Sequence, residues 1–188
     1  MTQLGEPLPL ELRQIRDVLS GILSTHDMVL LDADSVTTGK DFLHKIWDLI
    51  LSVPLGIAII HPDMKTTAIA NVFYELGIVQ ALGKESLVIR ASGAAIPSDF
   101  VRTEYISYDR HFTRRLNGFL DTVFHKADYY REMADLLERN PLLSMDYLRR
   151  AYLITGDETT KARMLEVFDS AGLEGRARNS VESLFVKI

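Results

Sequence analysis

The feature that most constrains this chain is the alternation of short, continuously apolar runs with segments of helical periodicity. The runs of strand length are Met28–Asp32, Leu55–Ile60 and Ser86–Arg90, with a fourth candidate at Tyr105–Tyr108. The helical patterns between and before them are Pro9–Leu23, Lys40–Leu51 and Ile69–Leu82, the last ended by Gly83. Because strands buried on both faces lack polar alternation, and parallel strands need crossover helices, this order predicts an α/β fold with a parallel sheet.

From Asp109 onward the pattern is helical. The predicted helices are His111–Arg139, Met145–Ile154 with Ser144 as its cap, and Glu158–Ala171, which Gly172 ends. The sequence therefore predicts an α/β domain over residues 1–108 and a helical extension over 109–188, which packs on that domain or mediates assembly. The first of these helices carries a wide apolar stripe that favours a homo-oligomer. The stripe consists of Leu116, Phe119, Leu120, Val123 and Phe124.

Composition narrows the classes of function. The 188 residues include no cysteine, which excludes disulfides, thiolate nucleophiles and cysteine-based zinc sites. A net charge of −5, and seven basic against seven acidic residues from Asn140 onward, disfavour nucleic-acid binding, including by the two short helices around Gly156. No apolar run approaches the roughly 20 residues that span a bilayer, so we expect a cytoplasmic protein without a membrane partner. The scattered histidines predict no metal site.

The predicted helix around Glu75 is apolar on nearly every side. Its neighbours on the same helical face are Asn71, Val72, Ile78 and Val79, none of which is a cation. A carboxylate in such surroundings loses solvation, and a raised pKa or a specific ligand is the usual response. The alternatives are a glutamate at the solvated edge of a core helix, or one paired with an arginine from elsewhere, such as Arg90 or Arg102.

The segment Asn71–Gly77, followed by Gly83-Lys84 and the apolar run Leu87–Ile89, resembles one superfamily of Rossmann-like, flavodoxin-like proteins. It comprises the TIR-like nucleotide-binding domains of bacterial defence systems and the nucleoside 2-deoxyribosyltransferases. The resemblance covers roughly Val29 to Tyr108, and it implies that Glu75 is catalytic, acting at a ribosyl C1′ as the base leaves. Members usually begin with a buried strand, whereas Met1–Pro9 lacks that pattern.

Polar side chains are expected where the strands of the sheet end. Open parallel sheets bind ligands at the carboxyl ends of their strands, and a helix N-terminus near Asn71 would offer free N–H groups to a phosphate or a ribose hydroxyl. This arrangement suits a nucleotide or nucleoside. The predicted substrate-binding residues, beside Glu75, are Asp34, His61, Asp63, Asn71 and Ser92.

Each of these residues has a plainer interpretation. Asp32 and Asp34 suit a turn after a strand, His61 suits a loop, and Asn71 suits a helix cap. Gly77 is best explained by close packing of a helix on the sheet. The aromatic side chains expected in the core rather than in a base-stacking platform are Trp47, Phe73 and Tyr74.

Cleavage of an N-glycosidic bond is the mechanism that fits Glu75. A carboxylate stabilises or traps the cation that develops at C1′, and nicotinamide leaves NAD as a neutral base, without a strong general acid. NAD or a related nucleotide is thus the favoured substrate, and a 2′-deoxynucleoside the next. The chain contains neither GxGxxG nor GxxxxGK[ST], so no cofactor is expected. The competing hypothesis is a non-catalytic nucleotide-sensing or oligomerisation module; a third is that a neighbouring chain completes the pocket.

Overall fold

The computed structural model describes residues 1, 8–32, 42–96 and 105–183, without the side chains of residues 42 and 43. Within these ranges the chain forms three strands and seven helices. The strands are β1 (Leu55–Ile60), β2 (Glu85–Arg90) and β3 (Tyr105–Ser107). The helices are α1 (Leu10–Ser24), α2 (Phe42–Ser52), α3 (Thr66–Ala81), α4 (Phe112–Leu136), α5 (Pro141–Thr155), α6 (Glu158–Ser170) and α7 (Gly175–Val181).

The three strands form one parallel sheet in the order β1-β2-β3. Leu55 lies opposite Glu85 in the first pair, and Val88 lies opposite Tyr105 in the second. Helices flank the sheet, and α3 crosses from β1 to β2 and packs on both. The predicted Rossmann-like α/β class with a parallel sheet is confirmed, as is the position of Glu75 on a helix that packs against two strands.

The prediction of a strand at Met28–Asp32 is wrong. These residues form no strand and pair with none of the strands that the structure describes, and two of their side chains are exposed, Val29 by 80 % and Leu31 by 47 %. Among the described residues, Met1 instead pairs with β1, along the edge that faces away from β2. The Met1 amine donates to the Ile57 carbonyl at 2.8 Å, and the Ile59 N–H donates to the Met1 carbonyl at 2.9 Å, which is the pattern of a parallel ladder.

Close packing of α3 on β1 occurs at a different glycine from the predicted one. A Cβ at Gly56 would lie 2.9 Å from Val79 Cγ2 and 3.1 Å from Met1 Cε, whereas a Cβ at Gly77 would meet no atom within 4 Å. Gly77 is exposed, so the expectation that it allows helix–sheet packing is wrong. Trp47 and Tyr74 are likewise exposed, by 42 % and 68 %, and only Phe73 of the three aromatic residues expected in the core is buried.

The chain divides into two compact units, Met1–Phe119 and Leu120–Ile188, and helix α4 contributes to both. A division at residue 108 stays a prediction. In the second unit, Asn140 rather than Ser144 caps α5, because its side chain accepts the Leu143 N–H. Ser144 is buried and donates to the Ala134 carbonyl at 3.0 Å. Asp157 caps α6 by accepting from Thr159 and Thr160.

We expect Gly56→Ala to destabilise the protein by about 1–3 kcal/mol, because the new methyl overlaps Val79 and forces the helix away from the strand. Gly77→Ala is the matched control. It adds a methyl in open space on a helix and should stabilise by about 0.5–1 kcal/mol. Urea unfolding of both variants measures the two effects. Equal effects of the two substitutions would contradict the close approach at Gly56.

Candidate functional site

Glu75 lies well inside α3. The helix begins at Thr66 after Lys65, which makes no side-chain cap, so Glu75 is the tenth helical residue. At a rise of 1.5 Å per residue it lies about 14 Å along the axis from the start of the helix. The sequence suggested that Asn71 caps this helix. In the structure it is instead an exposed residue in the second turn. The free N–H groups of this helix start belong to residues near Thr66.

The Glu75 side chain is half-buried between apolar neighbours. Val72 and Val79, on the same helical face, are buried. Burial raises the pKa of the Glu75 carboxyl above its ordinary value, and the nearby Met1 ammonium partly offsets that rise. No side chain of the described residues donates a hydrogen bond to this carboxylate or forms an ion pair with it. The raised pKa expected from the sequence is thus present.

Arg90 is not the partner of Glu75. Its guanidinium donates to Ser107 Oγ at 2.8 Å and lies 4.8 Å from the centre of the Tyr105 ring. Arg102, the other arginine considered, lies outside the described residues. The interpretation of Glu75 as one half of an arginine ion pair therefore has no support among the described residues.

The Met1 amine is a second ionisable group close to Glu75. Burial lowers its pKa, Asp32 and Glu75 counteract that effect, and Arg16 adds to it. Arg16 also forms an ion pair with Asp32, so the aspartate after the Met28 run does more than turn the chain. Two carboxylates, Glu75 and Asp32, thus act electrostatically on one positive group at the free edge of β1. Asp34, the predicted pocket residue nearby in sequence, lies outside the described residues.

The carboxyl end of the sheet carries a separate set of predicted residues. The Ala91 N–H donates to the Ile60 carbonyl at 2.9 Å, which places His61 and Ser92 at the same edge. Asp63 is exposed beyond this edge, and the Ser92 N–H donates to Glu11 Oε1 at 3.1 Å. His61 is only 6 % exposed, and its Nδ1 has no hydrogen-bond partner among the residues that the structure describes.

The structure therefore distributes the predicted site residues over two places. His61, Asp63 and Ser92 follow the ends of β1 and β2, whereas Glu75 lies about two turns of helix further down beside β1. Asn71 lies between them on α3, one turn before Glu75. The expectation that all of them meet at the carboxyl ends required a helix that starts near Asn71, and the helix starts five residues earlier.

Basic residues that the sequence reasoning missed follow β3. The Tyr108 N–H donates to the Arg90 carbonyl at 2.8 Å, so the segment Asp109–Arg115 begins at the same edge as His61 and Ser92. It contains Arg110, Arg114 and Arg115 against one acidic residue, Asp109. The sequence does contain a signal for these residues. Three arginines lie directly after a predicted strand in a chain of net charge −5.

Metal and membrane sites find no candidate in the ranges that the structure describes. No group of three or more histidine, aspartate or glutamate side chains there could hold a metal ion. No helix in the same ranges is long and apolar enough to cross a bilayer.

Comparison of the chain with protein-family models, with curated proteins and with solved structures gives no match.

The raised pKa of Glu75 predicts how stability depends on pH. A carboxyl whose folded pKa exceeds its unfolded value near 4.5 leaves the folded state with more bound protons, so its effect destabilises the protein as pH rises through that window. Glu75→Gln removes the effect. We expect the variant to be more stable than the wild type at pH 8, and the difference to shrink toward pH 4.

Thermal melts across this pH range measure the prediction. Glu132→Gln is the control, since Glu132 is an exposed glutamate of α4. It should change the melting temperature little at any pH. A Glu75→Gln variant that is less stable than the wild type at pH 8 would show that the ionised carboxylate has a stabilising partner.

Proposed function

We propose that this protein binds a nucleotide or nucleoside and cleaves its N-glycosidic bond through Glu75, with NAD or a related nucleotide as the favoured substrate. The observation that carries the proposal is a half-buried carboxylate with a raised pKa and no side-chain cation among the described residues. Such a group attracts a positive charge, and perturbed carboxylates are concentrated at functional sites. The resemblance of Asn71–Gly77 to TIR-like and deoxyribosyltransferase-like proteins supports the same assignment.

The proposed reaction develops positive charge on the ribosyl C1′ and the ring oxygen. The C1′–N bond breaks, and its electron pair leaves with nicotinamide, which departs as a neutral base. Glu75 in its ionised form stabilises the cation or bonds to C1′. Water then bonds to C1′ and loses a proton to solvent; where Glu75 had bonded to C1′, that C1′–O bond breaks and the carboxylate is restored. Because apolar neighbours exclude water from one side of the carboxylate, its electrostatic effect on the cation is stronger than in bulk solvent.

The role of Asp32 in this proposal is secondary. Its carboxylate lies close enough to the Met1 amine to act on the same positive group as Glu75. The ion pair with Arg16 holds Asp32 in place. A second negative charge near the developing cation strengthens its stabilisation, whereas Asp32 is too well paired to be the better nucleophile.

The test is release of free base from NAD and from deoxynucleosides by the purified protein. Wild-type protein should release nicotinamide, and Glu75→Gln should lose about three orders of magnitude or more in rate, because an amide neither stabilises a cation nor attacks C1′. Glu132→Gln should keep wild-type activity. Folding of each variant is checked by its melting temperature on the same preparation. A destabilised Glu75→Gln variant that retains turnover would overturn the catalytic assignment.

The pH dependence of the rate follows from the same group. Only the ionised carboxylate stabilises the cation, so the rate should fall as pH falls through the raised pKa of Glu75. A preference for deoxynucleosides over NAD in the base-release assay would favour the deoxyribosyltransferase alternative. In that reaction a second base replaces water as the acceptor, so adding a free base should then increase turnover.

A non-catalytic module is the second candidate, and one contact favours it. The Met1 ammonium lies near enough to Glu75 to lower the pKa of that carboxyl, so the pair can serve as a structural interaction at the edge of β1. In that case NAD should bind without release of nicotinamide. Binding measured by calorimetry, together with the base-release assay, separates the two candidates.

We also propose that the protein forms a homo-oligomer. The predicted apolar stripe no longer supports this proposal, because Leu116, Leu120 and Val123 are buried within the single chain. Exposed apolar side chains lie instead around the turn between α4 and α5, at Leu136, Leu142 and Leu143. Association through these residues would remove apolar surface from water.

Light scattering on a sizing column at tens of micromolar should give a mass above the 21.2 kDa of one chain. Leu136→Lys with Leu142→Lys should reduce the mass to that of a monomer, since charges at an apolar interface must be desolvated. Leu10→Lys, which changes an exposed leucine of α1, is the control and should leave the mass unchanged. A monomeric wild type would contradict the proposal.

A further inference from the structure

The segment that follows β3 is the most basic part of the described chain. Within residues 109–115, three arginines stand against one aspartate. Arg115 pairs with that aspartate, Asp109, at 3.2 Å. The His111 N–H donates to Asp109 at 2.8 Å and is the main cause that lowers the pKa of this carboxyl, so Asp109 stays ionised and engaged.

Within the described ranges, Arg110 and Arg114 are the two arginines of this segment without an acidic partner. Both are exposed, Arg110 contacts only the His111 ring, at 3.1 Å, and Arg114 makes no ion pair among the described residues. Guanidinium groups are rigid, always charged and shaped to bind phosphate oxygens in pairs. On a chain of net charge −5, two unneutralised arginines at one place form a local positive field.

The sheet places these arginines where parallel sheets bind ligands. The bonds from Ala91 N–H to the Ile60 carbonyl and from Tyr108 N–H to the Arg90 carbonyl put the ends of β1, β2 and β3 in one row. Neighbouring strands are about 4.8 Å apart, so the ends of β1 and β3 are separated by about 10 Å. Asp63 and Lys65 follow the β1 end and offset each other in charge, whereas the arginines follow the β3 end, so the excess positive charge lies on the β3 side of the row.

We propose that Arg110 and Arg114 bind the phosphate groups of a nucleotide at the carboxyl end of β3. A nucleoside without phosphate gains nothing from two guanidinium groups, so this site selects nucleotides over nucleosides. The site lies apart from Glu75, and its occupation does not depend on bond cleavage. Where NAD is the substrate of the proposed function, its diphosphate is the group bound here.

The test is calorimetric binding of adenosine 5′-diphosphate, inorganic pyrophosphate and adenosine to the full chain at low salt. Wild-type protein should bind the diphosphate at least about tenfold more tightly than adenosine, pyrophosphate should compete with it, and raised salt should weaken it. The double variant Arg110→Gln with Arg114→Gln should weaken diphosphate binding by about tenfold or more, since it removes charge-assisted hydrogen bonds.

The matched control is Arg139→Gln with Arg176→Gln, which removes two exposed arginines from the second unit and changes the net charge equally. It should keep wild-type affinity. Both double variants should melt like the wild type, because the replaced side chains are exposed. Equal affinity of the wild type for the diphosphate and adenosine, an equal loss in both double variants, or tighter binding of a short single-stranded RNA would overturn the proposal.

Glu75→Gln separates this inference from the proposed function. The variant should bind the diphosphate as the wild type does, because the two groups lie in different places. Normal diphosphate binding without base release from NAD would overturn the catalytic proposal alone. Base release from NAD with no effect of the Arg110 and Arg114 substitutions on diphosphate affinity would overturn the phosphate site alone.

Discussion

The close approach of α3 to β1 fixes where the candidate catalytic group lies. Gly56 lets the Val79 side chain contact the strand backbone, since any Cβ there would lie within 3 Å of it. Glu75 is one helical turn before Val79 on the same face, so it must lie beside β1 as well. The register of this contact, rather than the position of the strand ends, determines the surroundings of the carboxylate.

Those surroundings explain why one carboxylate differs from the other 25 acidic residues of the chain. Most acidic side chains of the described region are exposed or paired with arginine, as Asp32, Asp146 and Asp157 are. Glu75 has apolar neighbours from its own helix and a buried strand beside it, and the Met1 ammonium is the positive group that acts on it. Desolvation outweighs that attraction, and the pKa of Glu75 is raised.

Strands β1 and β2 and helix α3 could be predicted from the sequence because buried elements are rich in apolar residues. Leu55–Ile60 is a continuous apolar run, Glu85–Arg90 contains the apolar run Leu87–Ile89, and the structure pairs the two strands in parallel. Met28–Asp32 begins with a similar apolar run but pairs with no strand in the described part of the chain, and hydropathy alone does not tell whether a neighbour exists. Backbone pairing is a property of two segments, so a single run cannot establish it.

The candidate site was predictable in part, for a similar reason. The sequence identified Glu75 and its raised pKa, because both follow from residues three and four positions away on one helix. It misplaced the start of α3, since Lys65 forms no side-chain cap and no typical start signal precedes Thr66. The basic segment after β3 was overlooked because net charge averages over the chain, whereas a ligand responds to the local field.

The distance between the two candidate binding places limits which ligand can use both. Glu75 lies about 14 Å along α3 from its start, and the arginines lie about two strand spacings from β1 at the opposite end of the row. A nucleoside is a compact base and sugar, too short to contact both places and without a charge for the arginines. A nucleotide carries its phosphates on the ribose that contains C1′, and the reacting carbon and the phosphates have opposite electrostatic needs. The carboxylate suits a developing cation, and the guanidinium groups suit anionic phosphates. Under the two proposals, therefore, these charges favour a ligand that carries phosphate over a nucleoside.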